Sequence, residues 1–170
     1  MAVFIALLRA VNVGGTGKLP MSDLTALCKK AGFTAVQTYI ASGNVVFKCG
    51  LSEAKVKATL EAALAKYAGK PVGVAVRSAA EMAAVLAANP YPKCAPNRTV
   101  AIFLDNAPPA DALDSVSGRN GEDLELGHRE IYVHYGDGMA QSKLKIPAGK
   151  AGTARNMNTV AKLAAMAASL

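Results

Sequence analysis

The chain has 170 residues and a mass of 17.4 kDa, enough for one ordinary domain or for two small ones joined closely. It has three cysteines but no Cys-x-x-Cys pair, which argues against a disulfide framework and a thiolate zinc site and favours a reducing, cytoplasmic setting. The apolar runs at its termini are too short to span a membrane, so we expect a soluble cytoplasmic protein, and its net charge of +7 favours anionic partners.

The first half of the chain alternates strand and helix patterns. Strands are predicted where short apolar runs occur, over residues 3–8, 34–40, 45–47 and 72–76. Between them, apolar residues recur every three or four positions, as at Leu24, Leu27 and Cys28, which indicates two amphipathic helices. The order strand–helix–strand–strand–helix–strand is typical of a split βαβ, or ferredoxin-like, unit.

The second half partly repeats this order after a short helix and a proline-containing loop. The predicted elements are a strand over 99–104, a short helix over 110–116, a hairpin of strands over 123–126 and 131–135, and a last helix over 156–169. We therefore predict an α+β fold of two ferredoxin-like halves, with antiparallel sheets and helices packed on one face. The predicted divisions are 1–78, 79–97 and 98–170.

The loop after the first strand, residues 12–18, is rich in glycine and precedes a predicted helix. Backbone amides in such a turn attract anions, and Lys18 adds positive charge. Neither nucleotide-binding glycine motif is complete, because Asn12 stands at the first glycine of one and Pro20 at the third glycine of the other. The loop is a candidate anion site. The alternative is a tight turn that needs glycine only for its backbone.

A second candidate is Ser42-Gly43-Asn44, which joins two predicted strands. A hairpin turn alone selects such residues, since Gly and Asn tolerate left-handed backbone. The functional alternative is that Ser42 and Asn44 present a hydroxyl and an amide to a ligand. In a split βαβ unit we expect this hairpin at the opposite end of the sheet from the glycine-rich loop, which argues against contact between them.

The third candidate is the C-terminal stretch. From residue 138 to the C-terminus there is no Asp or Glu, but there are five basic residues, Lys143, Lys145, Lys150, Arg155 and Lys162. Residues 153–159 open the last predicted helix with hydroxyls, amides and an arginine, a set suited to anion recognition at a helix N-terminus. The alternative is a capped helix beside a solvated basic loop.

Patterns for metal binding or catalysis are weak. His128 and His134 flank a predicted strand without a third ligand at useful spacing, so we expect no metal site. The sequence has no paired-carboxylate pattern and no Gly-x-Ser-x-Gly motif, and no cysteine has a histidine close to it in sequence. No cofactor is indicated.

Four segments stand out as sequence blocks: 5–15 (IALLRAVNVGG), 39–47 (YIASGNVVF), 142–144 (SKL) and 153–160 (TARNMNTV). In this order they resemble the blocks of a bacterial family described as domain of unknown function 1697, whose opening reads LLRGINVGG. The resemblance spans nearly the whole chain and implies an α+β fold with two ferredoxin-like halves. It implies no reaction.

The resemblance carries family positions onto Arg9, Asn12, Gly14, Gly15, Ser42, Gly43, Asn44, Ser142, Lys143, Thr153, Arg155, Asn156, Asn158 and Thr159. This chain departs from the family in three places. Ala10 replaces the usual glycine, Met157 stands where tryptophan is typical, and the segment between Leu144 and Thr153 is shorter than usual. The missing tryptophan argues against a site that stacks an aromatic ring there.

Three hypotheses for function follow. The first is a binding protein for an anionic, phosphate-containing ligand, either nucleic acid or a nucleotide, in which phosphate contacts dominate because stacking aromatics are few. The second is an enzyme acting on a small phosphorylated or carboxylated substrate, with Ser42 as nucleophile and no evident general base. The third is a protein-interaction domain that pairs through exposed sheet edges. Turnover and oligomeric state are left open. The predicted ligand-binding residues are Arg9, Asn12, Gly14, Gly15, Lys18, Ser42, Gly43, Asn44, Lys143, Arg155, Asn156, Asn158 and Thr159.

Overall fold

The computed structural model describes residues 1–12 and 18–170. Its strands and α-helices are, in chain order, β1 (Ala2–Leu8), α1 (Met21–Lys30), β2 (Thr34–Tyr39), β3 (Asn44–Cys49), α2 (Glu53–Ala68), β4 (Val74–Ser78), α3 (Ala79–Ala87), β5 (Thr99–Phe103), β6 (Asp123–Leu126), β7 (Glu130–His134), β8 (Thr153–Asn156) and α4 (Met157–Ala168). Short 3-10 helices lie at Pro96–Arg98, Ala112–Ser115, Gly136–Gln141 and Pro147–Gly149. The residues divide into two compact units, 1–82 with 163–170, and 83–162. Among the described residues, no helix is long and apolar enough to cross a membrane.

In the first unit, four antiparallel strands form a sheet in the order β2-β3-β1-β4. This is the strand order of a ferredoxin-like unit, so the predicted α+β fold is confirmed. The apolar stripes of α1 and α2 join the core with one face of the sheet, where the rings of Phe33 and Phe47 stack at a centroid distance of 4.3 Å. Ser52 caps α2, because its hydroxyl accepts a hydrogen bond from the Lys55 amide at 3.3 Å.

The second unit repeats the strand order as β6-β7-β5-β8, but two elements differ from the sequence predictions. The helix predicted over 110–116 is only a four-residue 3-10 helix. The residues predicted to open the last helix form strand β8 instead, and α4 begins after it. A polar strand of four residues is too short to show alternation. It forms because its backbone pairs with β5, as Thr153 does with Phe103.

The end of β1, from which the glycine-rich loop starts, and the β2–β3 hairpin lie at the same end of the first sheet, so the expectation of opposite ends is wrong. Strand β1 runs antiparallel to β3, which places the end of β1 beside the start of β3, with Leu7 opposite Asn44. The Leu8 amide donates to the Gly43 carbonyl at 2.8 Å. The Asn12 side chain reaches the same turn, where its Nδ2 donates to the Ala41 carbonyl at 2.8 Å.

Candidate functional site

A groove of about 770 Å³ opens at the C-terminal end of β1, and all of its described lining residues belong to the first unit. Three of them are basic and exposed: Arg9, Lys18 and Lys70. No carboxylate is among the described lining residues. Apolar side chains, including the buried Leu19 and Leu64, form the rest of its wall. The groove therefore combines an apolar surface with clustered positive charge.

Chain topology brings these basic residues together. Arg9 follows β1 directly, and its amide donates to the Gly73 carbonyl at 2.9 Å, which fixes the segment before β4 against the end of β1. Gly69 ends α2 in a left-handed conformation with φ of 72°, and its amide donates to the Ala65 carbonyl at 2.9 Å. Lys70 lies in the loop between α2 and β4, and β4 is the strand next to β1.

Sequence reasoning selected Arg9 and Lys18 but missed Lys70 and Tyr67. The signal that could have found them is the predicted strand order. In a ferredoxin-like sheet the first and fourth strands are antiparallel neighbours, so the loop before the fourth strand must lie beside the end of the first. The pairing of Leu8 with Val74 shows this arrangement.

Tyr67 forms one edge of the groove and is 44% exposed. Its hydroxyl donates to Asp23 Oδ2 at 2.6 Å, which holds the ring in place and ties α2 to α1. The hydrogen bond to the Asp23 carboxylate raises the pKa of the Tyr67 phenol above its ordinary value of 10.0. The phenol is therefore neutral at physiological pH.

Every charged side chain among the described lining residues is positive, whereas the Asp23 carboxylate bonded to Tyr67 and the end of α2 add negative charge beside the groove. The C-terminus of α2 carries a partial negative charge of about half a unit. Three full positive charges, on Arg9, Lys18 and Lys70, outweigh it. Such a surface attracts anions, and the attraction weakens as salt concentration rises.

Asn12 has a conformational role beside the groove. Its Nδ2 donates to the carbonyls of Leu19 and Ala41, both at 2.8 Å, and its Oδ1 accepts from the Leu19 amide at 2.6 Å. One side chain thus joins the two ends of the glycine-rich loop to the β2–β3 turn. Gly14 and Gly15, which the sequence analysis placed in an anion site, lie outside the described residues.

The contacts of Ser42, Gly43 and Asn44 are those of a tightly built turn. Asn44 is fully buried, and its Nδ2 donates to the Tyr39 carbonyl at 2.8 Å and to Ser42 Oγ at 2.9 Å. Gly43 has a φ of +90°, a conformation that residues with side chains rarely adopt. These observations give the three residues a conformational role, and direct contact with a ligand stays a prediction.

The C-terminal candidates lie in the second unit. Arg155 is half-buried on β8, and burial lowers the pKa of its guanidinium from 12.5 to about 10, so it is charged at neutral pH. Asn156 caps α4, since its Oδ1 accepts from the Thr159 amide at 3.0 Å. Thr159 is buried, Asn158 is exposed, and the exposed Lys143 lines a second cavity.

The two histidines show no metal-binding arrangement. His134 Nδ1 lies 3.2 Å from Thr99 Oγ1, a hydrogen bond between neighbouring strands. In the described part of the chain, no group of three or more His, Cys, Asp or Glu side chains is placed to hold a metal ion.

Comparison with known proteins agrees with this architecture. No curated protein matches the chain in sequence. Among solved structures, the conserved bacterial protein SP0830 from Streptococcus pneumoniae is similar, with a TM-score of 0.81, 24% sequence identity and 98% of each chain covered, which supports the fold. The family model described as protein of unknown function (DUF1697) matches residues 1–132. With its strand order, its sequence blocks and this match in agreement, the chain belongs to the DUF1697 family.

Proposed function

We propose that this protein binds a small phosphate-bearing ligand, of nucleotide size, in the groove at the end of β1. The observation that carries the proposal is the convergence of Arg9, Lys18 and Lys70 on one cavity whose described lining contains no carboxylate. Guanidinium and ammonium groups are the side chains that proteins use to hold phosphate. The proposal is consistent with the net charge of +7.

The size and wall of the groove favour a small molecule with an apolar or aromatic part. Its volume of about 770 Å³ lies within the range of roughly 300–1,000 Å³ typical of small-molecule sites. The ring of Tyr67 offers a surface on which a planar group can pack, while the three basic residues hold the phosphates. A single exposed aromatic ring is a poor platform for a long single strand, which normally uses several.

The described lining favours binding over acid–base catalysis. It includes no histidine or carboxylate, and the Tyr67 phenol is held neutral by its bond to Asp23. A general base poised near neutral pH is thus missing from the described part of the groove. An enzyme that uses Ser42 is the second candidate, and Ser42 already accepts a hydrogen bond from Asn44.

Titration calorimetry with ATP, and with adenosine as the phosphate-free control, tests the proposal. We expect ATP to bind and adenosine to bind far more weakly. Lys18→Gln and Lys70→Gln should each weaken ATP binding about two- to fivefold, the range for an exposed ion pair. The matched control is Lys66→Gln, which removes the same charge from an exposed residue of α2 outside the described lining. Equal effects of all three variants would show only a general attraction by net charge and would refute the groove as the site.

Binding of a fluorescent single-stranded oligonucleotide, measured at several salt concentrations between 50 and 200 mM, distinguishes the nucleic-acid alternative from a small ligand. Three basic contacts predict a log–log salt slope of about −2, and each lysine variant should reduce it by about 0.7. Tight oligonucleotide binding with no ATP binding would favour the nucleic acid. Arg155→Ala is the further control. If it abolishes ATP binding without lowering the melting temperature, the C-terminal stretch belongs to the site and the groove alone is insufficient.

A further inference from the structure

A second cavity, of about 260 Å³, lies in the second unit and has a polar wall. Its lining residues are Gly118, Asn120, Glu122, Tyr135, Gly138, Gln141, Ser142 and Lys143. They come from two segments, the one before β6 and the one after β7. The proposed phosphate groove uses none of them.

The two segments are held together by backbone contacts. The Ser117 amide donates to the Lys145 carbonyl at 3.0 Å, and the Lys145 amide donates to the Ser117 carbonyl at 2.8 Å. Gly118 has a φ of +70°, and a Cβ there would lie 2.1 Å from the Lys143 carbonyl oxygen. Only glycine permits this approach, so the chain conformation that shapes the cavity depends on glycine at this position.

Glu122 is the main charged group in the wall, and its residue is only 3% exposed. Its Oε1 accepts a hydrogen bond from the Asn120 amide, and its Oε2 accepts one from Ser142 Oγ at 2.6 Å. These hydrogen bonds lower the pKa of the Glu122 carboxyl below its ordinary value of 4.5, so the group is ionised at neutral pH.

In the described chain this buried carboxylate has no salt-bridge partner, although the charge of Arg119, whose Nε donates to the Glu122 backbone carbonyl at 2.7 Å, favours its ionised form. No lysine or arginine nitrogen of the described chain lies within 4.0 Å of it. Buried charges in proteins are normally paired directly, and a carboxylate can accept about four hydrogen bonds, whereas Glu122 receives them from Ser142, the Asn120 amide and its own backbone amide. A cationic group in the cavity would supply a direct ion pair and a further donor.

Lys143 lines the same cavity from an exposed position and forms no ion pair with the described residues. The cavity therefore presents one negative and one positive side chain, and Asn120 and Gln141 also line it. Because its volume is only about 260 Å³, a ligand that matches this pattern is a small molecule that carries both an ammonium and a carboxylate.

We propose that the second cavity binds a small zwitterion of the α-amino acid class, with its ammonium at Glu122 and its carboxylate at Lys143. Tyr135, Asn120 and Gln141 also line the cavity and would contact the remainder of the ligand. This site is independent of the phosphate groove, so either proposal can fail without the other.

Thermal denaturation of the whole chain with each common L-α-amino acid at 10 mM tests the proposal. At least one should raise the melting temperature, because a ligand that binds only the folded state stabilises it. Two controls should not raise the melting temperature: the amine that lacks the carboxylate of this amino acid, and the carboxylic acid that lacks its ammonium group. If no amino acid raises the melting temperature, or if the amine alone acts as strongly, the zwitterion site is refuted.

Two variants then locate the site by calorimetry with the amino acid that stabilises most. Glu122→Gln keeps the side-chain shape and removes the charge, and we expect about a tenfold or greater loss of affinity. Lys143→Gln should weaken binding by a smaller factor because Lys143 is exposed. Lys145→Gln is the matched control, an exposed lysine outside the cavity wall. Unchanged affinity in Lys143→Gln would overturn the assignment. So would equal losses in the two lysine variants.

Discussion

Replacing Gly43 by alanine tests how the end of the first sheet is packed. Gly43 sits in the β2–β3 turn with a φ of +90°, and an added Cβ would lie 2.7 Å from Val11 Cγ2 and 2.8 Å from Leu8 Cβ. Its carbonyl accepts the Leu8 amide at 2.8 Å, so the turn cannot move away without losing this bond. The substitution therefore strains the backbone and overpacks a buried contact at once.

The magnitude follows from these two contributions. A side chain in the left-handed region costs roughly 1–2 kcal/mol, and an overpacked contact costs typically about 1–3 kcal/mol. Alanine also reduces the conformational entropy of the unfolded chain, which offsets about 0.4–1 kcal/mol of this loss of stability. We expect Gly43→Ala to lower the free energy of unfolding by about 2–4 kcal/mol, a large share of the roughly 5–15 kcal/mol of a typical domain.

Gly32→Ala is the matched control in the same unit. Gly32 has nearly the same φ, +93°, but a Cβ there meets no atom within 4 Å. Gly32→Ala should cause the same backbone strain and the same restriction of the unfolded chain as Gly43→Ala. We therefore expect its free energy of unfolding to fall by about 1 kcal/mol. Urea denaturation followed by circular dichroism measures both variants, and the difference of about 1–3 kcal/mol isolates the contact with Val11 and Leu8. Equal losses would refute the claim that this contact excludes a side chain.

Three further changes test the same unit. Ala10→Gly should raise the free energy of unfolding by up to about 1 kcal/mol, because Ala10 has a φ of +54°, and a lower melting temperature would contradict this. Asn12→Ala should cost about 2 kcal/mol in urea denaturation through its lost bonds to Leu19 and Ala41, whereas no loss would show that the tie is dispensable. Burial raises the pKa of Cys28 from 9.0 to about 12, so the unfolded chain releases this proton first as pH rises. Cys28 should contribute a fall in stability of about 1.4 kcal/mol per pH unit above pH 9, in addition to that from the buried Tyr132, whose pKa is also raised. Cys28→Ala should therefore reduce the slope by that amount in a pH series of urea titrations, and an unchanged slope would contradict the assignment.

The sequence predicts the first sheet well because its elements are long enough to show their periodicity. The apolar run of β1 and the glycine after α2 identify the ends of those elements without tertiary information. Strand β8 is different, since its four residues are polar and its conformation is imposed by pairing with β5. Local sequence cannot report a structure that depends on a partner strand.

The sequence predicted only some of the residues of the candidate groove, because the others join it through strand pairing. Arg9 and Lys18 stand close to the glycine-rich loop in sequence, and their residue types suggested an anion site. Lys70 is distant in sequence and joins them only because β4 pairs with β1. The expectation that the loop and the hairpin lie apart was an error of topology, and the antiparallel register of β1 and β3 corrects it.

The two units share a strand order, and each has its cavity beside the connection between its third and fourth strands. At the end of the first strand, the Leu8 amide donates to the Gly43 carbonyl, and the Leu104 amide donates to the Arg129 carbonyl in the second unit. In the first unit the connection to the fourth strand is the helix α2, whose last turn and following loop line the groove.

In the second unit, between β7 and β8, that connection contains two 3-10 helices, at Gly136–Gln141 and Pro147–Gly149, instead of an α-helix. Five residues of this connection line the smaller cavity: Tyr135, Gly138, Gln141, Ser142 and Lys143. In the first unit, Lys70 follows the long helix and lines a broad groove together with Arg9 and Lys18, which follow β1. In the second unit, the short irregular connection lies against the turn before β6, where the Glu122 carboxylate is buried and accepts a hydrogen bond from Ser142. The same topology thus offers two kinds of site, and the charge of each site comes from this connection together with a segment that precedes it in the chain.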